Sequence, residues 1–273
     1  MSIPASENRE DPLRFENVSV RFTGAGNEVR ALSSFTAAVR AGEVFALVGE
    51  SGSGKSTAGF AGGGLLPADR TVVSGRISLA GEWLEAGDPR AFEPHRGRRI
   101  GFVFQEPGSA LHPAMTIRAQ VAEAIHRPLG RRDRREAVRR LLRSVRLEPD
   151  RRILGAYPHH LSGGMQQRVV LAMAMANDPP ALIADEPTTA LDPTIRRGIL
   201  DLLRAHALER RAGVLLISHD LGIVHKFSDR MAVLHQGRIV EAGSTGEILR
   251  KPRHEHTRAL LASARCETTE VPR

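Results

Sequence analysis

Cysteine, lysine and aromatic side chains are scarce in this sequence. Among its 273 residues there is one cysteine, Cys266, and only 4% of the residues are aromatic. A single cysteine excludes an internal disulfide framework and a cysteine-rich metal or iron–sulfur site, which suits a reducing cytosol. The low aromatic content argues against the base-stacking platforms that bind single-stranded nucleic acid.

Long apolar segments are also missing. The longest apolar run, Val169–Ala176, is far shorter than the roughly 20 residues that a membrane-spanning helix requires. The first residues, Met1–Pro12, are polar and lack the apolar core of a signal peptide. We therefore expect any association with a membrane to pass through a partner protein.

The chain is instead rich in arginine. Its formal net charge is +8, and 41% of its residues are hydrophobic, which is enough for one large α/β domain or two small ones. The positive charge suits nucleic acid, anionic lipid headgroups or nucleotide phosphates, and it does not choose among them.

The most informative stretch is Gly49–Ser56, which has the G-x-x-x-x-G-K-S pattern of a phosphate-binding loop. It follows the apolar segment Glu43–Val48, which is typical of a buried parallel strand. In such a loop the glycines let backbone N–H groups approach phosphate oxygens, Lys55 adds a full positive charge, and the Ser56 hydroxyl can ligate Mg²⁺. A glycine-rich turn with an incidental lysine is the alternative, and the strand before the loop argues against it.

The helix that should follow this loop is interrupted by glycine. Its expected body contains Gly59, Gly62, Gly63 and Gly64. Each interior glycine costs about 0.5–1 kcal/mol relative to alanine. We therefore expect a loosened helix, and weak nucleotide affinity until a partner covers the loop.

Two further patterns point to phosphate chemistry. In Leu161–Arg168, Ser162 and two glycines precede an apolar helix, which makes a second helix start suited to anions. The carboxylates Asp185 and Glu186 end an apolar strand, where an Asp can hold Mg²⁺ and an adjacent Glu can orient or deprotonate water. Taken alone, the carboxylates could equally be surface groups at a strand end. One nucleotide in one subunit does not need both helix starts.

The remaining apolar patterns alternate between strand and helix. Strands are predicted at 13–22, 29–39, 76–81, 100–104, 181–184 and 214–217, with a turn at Thr23–Asn27 and a hairpin over 230–242 that turns at Gln236–Gly237. Between about 112 and 178 the pattern is helical. Helix starts are predicted at Thr116, at Asp133 with Glu136, at Asp192-Pro193 and at Ser244–Glu247.

The helix that begins near Asp133 carries an arginine-rich face. Its members are Arg134, Arg135, Arg139, Arg140 and Arg143. This face could bind anions or could be an ordinary solvated surface. Charged residues opposite an apolar stripe are the usual amphipathic design, so the solvated surface is favoured.

A series of motifs, taken in chain order, resembles that of the ATP-binding-cassette ATPases. The motifs are Gly49–Ser56, Gln105 after a strand, Leu161–Arg168, Leu182–Glu186, Ala190–Asp192 and Ser218–Asp220. The resemblance covers about residues 13–262 and leaves tails at 1–12 and 263–273. It implies an α/β fold, a P-loop NTPase with a RecA-like core, an N-terminal antiparallel β subdomain and an inserted α-helical subdomain at about 112–178.

The resemblance also implies an ATPase with ATP and Mg²⁺ as cofactors. The ATP-binding residues would be Gly49, Glu50, Ser51, Gly52, Ser53, Gly54, Lys55, Ser56 and Thr57. Mg²⁺ would be held by Ser56, Gln105 and Asp185. Glu186 would be the catalytic carboxylate, with His219 on the γ-phosphate and Gln105 sensing the ion and the attacking water.

Other matched positions imply a pair of subunits. Ser162, Gly163 and Gly164 would contact ATP bound to the opposite subunit, and Asp192 would lie at the dimer interface. Phe22 stands where the family stacks an aromatic ring on adenine, although a phenylalanine in a strand is also ordinary core.

Four segments are similar to the dipeptide, oligopeptide and nickel importer branch of that family. They are Phe104–Ile117, Tyr157–Leu161, Ala184–Asp192 and His256–Leu261. This similarity implies a bacterial importer subunit at the cytoplasmic face of the inner membrane. Its partners would be a second ATP-binding subunit, identical or not, two transmembrane permease subunits and an extracytoplasmic solute-binding protein. The sequence stops at Arg273 without the Pro-rich tail of many peptide importers, which shifts the expectation toward nickel or metallophore importers.

A soluble cassette ATPase that acts on nucleic acid, in repair or translation, is the alternative. The net charge of +8 and the arginine-rich helix favour it. The single cassette, the lack of a long coiled-coil insertion and the few aromatic residues argue against it, so no nucleic-acid partner is expected.

Overall fold

The computed structural model describes residues 11–24, 27–189 and 191–269. Ala190, the middle of the predicted turn at Thr23–Asn27 and the outer parts of both predicted tails lie outside these residues. The strands are β1 (Leu13–Gly24), β2 (Asn27–Val39), β3 (Val44–Val48), β4 (Thr71–Leu79), β5 (Glu82–Glu85), β6 (Ile100–Val103), β7 (Ala181–Asp185), β8 (Gly213–Ile217), β9 (Arg230–His235) and β10 (Arg238–Ser244).

Helices alternate with these strands and form a block between β6 and β7. They are α1 (Lys55–Gly62), α2 (Pro107–Ala110), α3 (Ile117–Glu123), α4 (Arg131–Ser144), α5 (Arg151–Gly155), α6 (Gly163–Ala174), α7 (Pro193–Arg210), α8 (Leu221–Phe227), α9 (Thr245–Arg250) and α10 (Glu255–Thr269), with a 3₁₀ turn at Pro158–His160. Within the described ranges, every helix falls short of the length and apolar character that crossing a bilayer demands.

The strands form two sheets. One is antiparallel, with the order β2-β1-β4-β5. The other has the order β10-β9-β3-β8-β7-β6 and is parallel from β9 to β6, with β10 antiparallel to β9. Strands β3, β7 and β8 are buried along their whole length, which is why they are mostly apolar, with Asp185 at the end of β7 as the charged exception. The α/β fold with an N-terminal antiparallel sheet is thus confirmed.

Two main cores hold these layers together. Ala58 and Ala61 of α1 share one core with Phe15 of the antiparallel sheet and Ile183 of the parallel sheet. The helices between β6 and β7 share the other core with β6, β7, β8 and α7. The exact limits of the domain, 13–262, and of the helical subdomain, about 112–178, remain predictions.

Most predicted elements are confirmed, and four details of the prediction are wrong. Helix α4 begins at Arg131 after Gly130, so Asp133 lies in its first turn and does not cap it. Ser244 occupies the N-cap of α9, but within the described residues its side chain makes no capping hydrogen bond. Strand β4 begins at Thr71, before the predicted position 76, because Val72 and Val73 pair with β1. Strand β5 was not predicted.

Two arginines on the arginine-rich face of α4 donate hydrogen bonds to backbone carbonyl oxygens of neighbouring segments. Arg134 donates to the carbonyl oxygens of Ala122 at 2.7 Å and Ile125 at 3.1 Å. Arg139 donates to the carbonyl oxygen of Pro149 at 2.8 Å. The carbonyl groups of Ala122 and Ile125 lie at the C-terminal end of α3, where carbonyl groups need partners outside the helix, and Pro149 lies in the loop before α5. These bonds support the structural interpretation of this face over an anion-binding patch.

The glycines after the phosphate loop pack closely, in contrast to the expected loosening. A Cβ atom on Gly59 would lie 2.8 Å from Cδ1 of Ile217. A Cβ atom on Gly62 would lie 2.8 Å from Cδ1 of Ile183 and 2.8 Å from Cζ of Phe15. Helix α1 therefore approaches both sheets more closely than a side chain would permit.

This packing predicts the effect of an added methyl group. Gly62→Ala should lower the free energy of unfolding by about 1–3 kcal/mol, because overpacking outweighs the gain in helix propensity of about 0.5–1 kcal/mol. Denaturant unfolding measures this. The control is Gly155→Ala, since Gly155 also ends a helix and its added Cβ would have no neighbour within 4 Å. Equal or greater stability of Gly62→Ala would mean that α1 is loosely packed.

Candidate functional site

The loop Gly49–Ser56 connects the buried strand β3 to helix α1, as predicted. Gly54 has φ +105°, and a Cβ there would lie 2.4 Å from the carbonyl oxygen of Ala31. Gly52 has φ +79°. Only glycine adopts such a sequence of conformations without strain, and the result is a ring of backbone N–H groups at a helix start. Ser53 is buried, and its hydroxyl has no hydrogen-bond partner among the residues that the structure describes, so it is free to bind a polar ligand atom.

The loop is braced by a turn that lies far away in the sequence. The N–H of Gly237 donates to the carbonyl oxygen of Ser53 at 2.9 Å, and the N–H of Ser33 donates to the carbonyl oxygen of Gly237 at 2.9 Å. Gly237 has φ +74°, and a Cβ on it would lie 2.6 Å from the carbonyl oxygen of Ala31. The hairpin turn between β9 and β10 therefore holds the phosphate loop against β2.

Lys55 is folded back into the loop. Its Nζ donates to the carbonyl oxygens of Gly49 at 2.9 Å and Glu50 at 2.7 Å, and the side chain is buried. Burial lowers the pKa of Lys55, and the nearby carboxylates of Glu186 and Asp185 oppose that change. Phosphate oxygens accept hydrogen bonds as these carbonyl oxygens do, so they can take their place. The Lys55 ammonium group is therefore positioned to bind a polyphosphate.

Ser56 and Asp185 meet at the start of α1. The Ser56 hydroxyl donates to Oδ1 of Asp185 at 3.2 Å, and Asp185 is the buried last residue of β7. Burial raises the pKa of Asp185, and the bond from Ser56 opposes that change. A hydroxyl and a carboxylate are the hard oxygen donors that Mg²⁺ prefers, and a cation would favour the ionised carboxylate. These residues therefore fit the ion that the sequence predicts.

Glu186 stands at the centre of the site. Its backbone has φ +43°, and its N–H donates to the carbonyl oxygen of Ile217 at 3.0 Å. Its carboxylate lies 3.0 Å from Nδ1 of His219 and 3.4 Å from Nε2 of Gln105. Burial raises the pKa of Glu186, but bonds from His219 and Thr189 outweigh burial and leave it below the usual value. An ionised carboxylate only accepts, so Nδ1 of His219 carries the proton.

Thr189 is a member of this group that the sequence interpretation missed. Its hydroxyl donates to Oε2 of Glu186 at 3.0 Å. The signal was present, since Thr189 lies within the quoted motif and three residues after Glu186. Together Gln105, Thr189 and His219 fix both carboxylate oxygens, which is the arrangement that positions a general base.

A small cavity opens beside this carboxylate. Its volume is about 110 Å³, and its lining includes Glu186, Ser218, His219 and Asp220. That space holds a few water molecules, each of which occupies about 30 Å³ in the liquid. Arg196 of α7 pairs with Asp220 at 3.3 Å and also lines the cavity. The site thus has room for water next to its base.

The second predicted helix start is confirmed at α6. Ser162 is its N-cap, and its hydroxyl accepts the N–H of Met165 at 3.4 Å. Gly163 is exposed, and a Cβ on Gly164 would lie 2.6 Å from Cγ2 of Ile195 in α7. Among the hydrogen bonds of the described residues, none joins this helix start to the phosphate loop.

Asp192 and Phe22 lie apart from the phosphate loop. Asp192 caps α7 and accepts the N–H groups of Thr194 at 3.1 Å and Ile195 at 3.0 Å. Phe22 is half-buried on β1 and packs on the core shared by both sheets. Neither geometry tests its predicted part in nucleotide binding.

Comparison with known proteins places these features in one family. Residues 32–189 match the family model described as ABC transporter. The chain is 42% identical over 256 residues to the oligopeptide transport ATP-binding protein OppD of Lactococcus lactis subsp. cremoris (strain SK11), covering 93% of this chain and 76% of that protein. It is 40% identical over 264 residues to the glutathione import ATP-binding protein GsiA of Escherichia coli O1:K1 / APEC, covering 93% of this chain and 42% of that protein.

A solved structure shows the same fold. It is the ATP-binding cassette MJ0796, a dimer in a post-hydrolysis state bound to ADP and phosphate. Its TM-score is 0.74 at 28% sequence identity, and the match covers 85% of this chain and 98% of that chain.

The hydrogen bonds between Gly237 and the phosphate loop predict that a substitution at Gly237 lowers both stability and nucleotide affinity. Gly237→Ala should lower the free energy of unfolding by about 1–3 kcal/mol, because alanine is strained at this left-handed φ. The same change should weaken nucleoside triphosphate binding, since the brace on Ser53 moves. Denaturant unfolding and titration with a fluorescent nucleotide analogue measure the two effects. The control is Gly246→Ala, where the added Cβ would have its nearest neighbour at 3.7 Å. Unchanged nucleotide affinity in Gly237→Ala would contradict the brace.

Proposed function

This chain belongs to the ABC transporter family of ATPases, and from that premise we propose that it powers a bacterial importer of oligopeptides or related small peptides. The catalytic part of this proposal rests on one observation. Both carboxylate oxygens of Glu186 accept hydrogen bonds from neighbouring side chains beside the phosphate loop. The relatives named above support the substrate class, because one is named for oligopeptide transport and the other for glutathione import.

The proposed chemistry follows from the residues in place. The loop N–H groups and Lys55 bind the phosphates, and the Ser53 hydroxyl supplies a further polar contact. Ser56, Asp185 and Gln105 would hold Mg²⁺, whose charge neutralises the phosphate oxygens. Glu186 orients a water for attack on the γ-phosphate. His219 fixes Glu186 by donating from Nδ1, and in its doubly protonated form it would also donate from Nε2 to that phosphate.

A complete site requires a second subunit in this proposal. Ser162, Gly163 and Gly164 form a helix start suited to phosphate, and no hydrogen bond of the described residues connects it to the phosphate loop. Two chains arranged head to tail would bring each such start over the other chain's nucleotide, with Asp192 near the contact. The partner could be an identical subunit or a homologous one.

The remaining partners are those of an importer. Two permease subunits would cross the membrane, an external solute-binding protein would deliver the peptide, and this chain would sit on the cytoplasmic face. The expectation of nickel or metallophore uptake gains no support from the relatives named here, because their names refer to oligopeptides and to glutathione.

The contacts of the arginine-rich helix count against the nucleic-acid alternative. Arg134 and Arg139 of the arginine-rich helix are engaged with backbone carbonyl oxygens of their own chain. Their charge is therefore less available to a phosphate backbone than the sequence suggested.

The catalytic assignment predicts opposite behaviour for two variants. Glu186→Gln should retain ATP binding, lose at least about a hundredfold in hydrolysis rate and accumulate as an ATP-bound dimer, because a general base is worth about 10²–10⁴-fold. Lys55→Ala should lose nucleotide affinity instead. Steady-state hydrolysis, nucleotide titration and size-exclusion chromatography separate the two outcomes. Near-normal turnover by Glu186→Gln would show that another group activates the water.

The substrate class is tested on the intact transporter. The chain should be co-purified with its permease subunits in lipid, and its ATPase activity measured with the binding protein and candidate solutes. Short peptides should stimulate hydrolysis, and the Glu186→Gln complex should show no stimulated rate. Stimulation by a nickel complex and not by peptides would reject the peptide assignment while leaving the ATPase intact.

A further inference from the structure

A cluster of two histidines and a glutamate lies outside the catalytic group. Glu50, His235 and His256 each offer one ligand atom, and these atoms lie within 4.8 Å of one another. The imidazole rings of the two histidines are in contact, with centroids 3.7 Å apart and planes tilted by 34°. Nothing in the proposed ATPase mechanism uses these two histidines.

The sheet order brings these residues together. Strands β3 and β9 are parallel neighbours, so their carboxyl ends lie at the same edge. Glu50 follows β3 by two residues, and His235 is the last residue of β9. His256 is the second residue of α10. Three segments that are distant in sequence therefore meet beside the phosphate loop.

His256 is held in place by its own anchor. The carboxylate of Glu241 on β10 accepts the N–H groups of Arg253 at 2.9 Å and His254 at 3.0 Å, which fixes the start of α10. Nδ1 of His254 then accepts the N–H of His256 at 3.1 Å. The turn before α10 thus fixes the backbone position of His256 before any ligand arrives.

One nitrogen of this cluster has no partner. Nε2 of His256 is buried and makes no hydrogen bond within the described residues. A buried polar atom without a partner is unfavourable, and such groups call for an explanation such as an ion. In the described ranges, no ion pair involves Glu50, His235 or His256, so their donor atoms are not committed elsewhere.

We propose that Glu50, His235 and His256 bind one divalent transition-metal ion of the Zn²⁺ class. Two imidazoles and a carboxylate form a donor set typical of Zn²⁺ or Ni²⁺, whereas Mg²⁺ prefers oxygen donors alone. Ligands about 2.0–2.2 Å from one ion are roughly 3.3 Å apart in a tetrahedral site. The exposed Glu50 side chain can close the remaining gap by rotation, and water would take the fourth position.

Such an ion would connect α10 to the phosphate loop. Glu50 is a loop residue whose carbonyl oxygen accepts from Lys55 at 2.7 Å. An ion on its carboxylate would neutralise a negative charge near the nucleotide phosphates and should tighten ATP binding. This consequence rests on the proposed function, whereas metal binding itself does not.

Metal binding by the whole chain, without an affinity tag or nucleotide, tests the site directly. Chelator-treated protein in excess Mg²⁺ should bind one equivalent of Zn²⁺ in competition with a chromophoric indicator, and Zn²⁺ should raise its melting temperature. His235→Phe and His256→Phe keep the ring contact and remove the donor nitrogens. Each should lose at least about a hundredfold in Zn²⁺ affinity, and Zn²⁺ should no longer raise its melting temperature.

The matched control is His225→Phe, which removes an exposed histidine of α8. It should bind Zn²⁺ like the unchanged protein. Equal loss in all three variants, or no loss in the cluster variants, would overturn the site. Circular dichroism confirms that each variant is folded before its affinity is interpreted.

A nucleotide titration with and without Zn²⁺ separates the two proposals. Zn²⁺ should tighten ATP binding by the unchanged protein and not by His235→Phe. ATP binding without Zn²⁺ binding would reject the metal site alone. Zn²⁺ binding without ATP binding would reject the proposed ATPase alone.

Discussion

The hydrogen-bond register of the parallel sheet is the constraint on which the site depends. Leu47 of β3 and Asp185 of β7 both pair with Ile217 of β8, so the three strands end at one level. The N–H of Glu186 continues the ladder to Ile217, and the N–H of Ser218 continues it to Leu47. The phosphate loop, the carboxylate pair and His219 all emerge at that edge. A shift of this register would separate Ser56 from Asp185 and Glu186 from its partners.

Close packing of α1 preserves this geometry at the helix start. The glycines that weaken an isolated helix let this one lie against Phe15, Ile183 and Ile217. The helix is short, and its stability comes from burial between the two sheets more than from its own propensity. Lys55 and Ser56, in its first turn, are therefore held by the core of the protein.

The functional groups fall into two sets. One set is hydrogen-bonded within a single chain, and for the other we propose a partner from outside it. Glu186, with its bonds from Gln105, Thr189 and His219, is complete within one chain. Within the described residues, no hydrogen bond joins the helix start at Ser162 to the phosphate loop, which is the basis for proposing a second subunit. The cluster of Glu50, His235 and His256 adds a third position from which the phosphate loop could be influenced.

The sequence by itself determined the parts that depend on local chemistry. Glycine spacing, buried apolar runs and caps such as Ser162 and Asp192 are short-range patterns, so they identified the loop, the central strands and the helix starts. Tertiary structure decided the rest. Whether Gly62 weakens helix α1 or allows close packing depends on Phe15, which lies far away in the sequence. Whether the Arg134 side chain can bind an external anion depends on carbonyl groups of another helix. The meeting of His235 and His256 depends on strand order and on the path of α10, which no periodicity along the chain encodes.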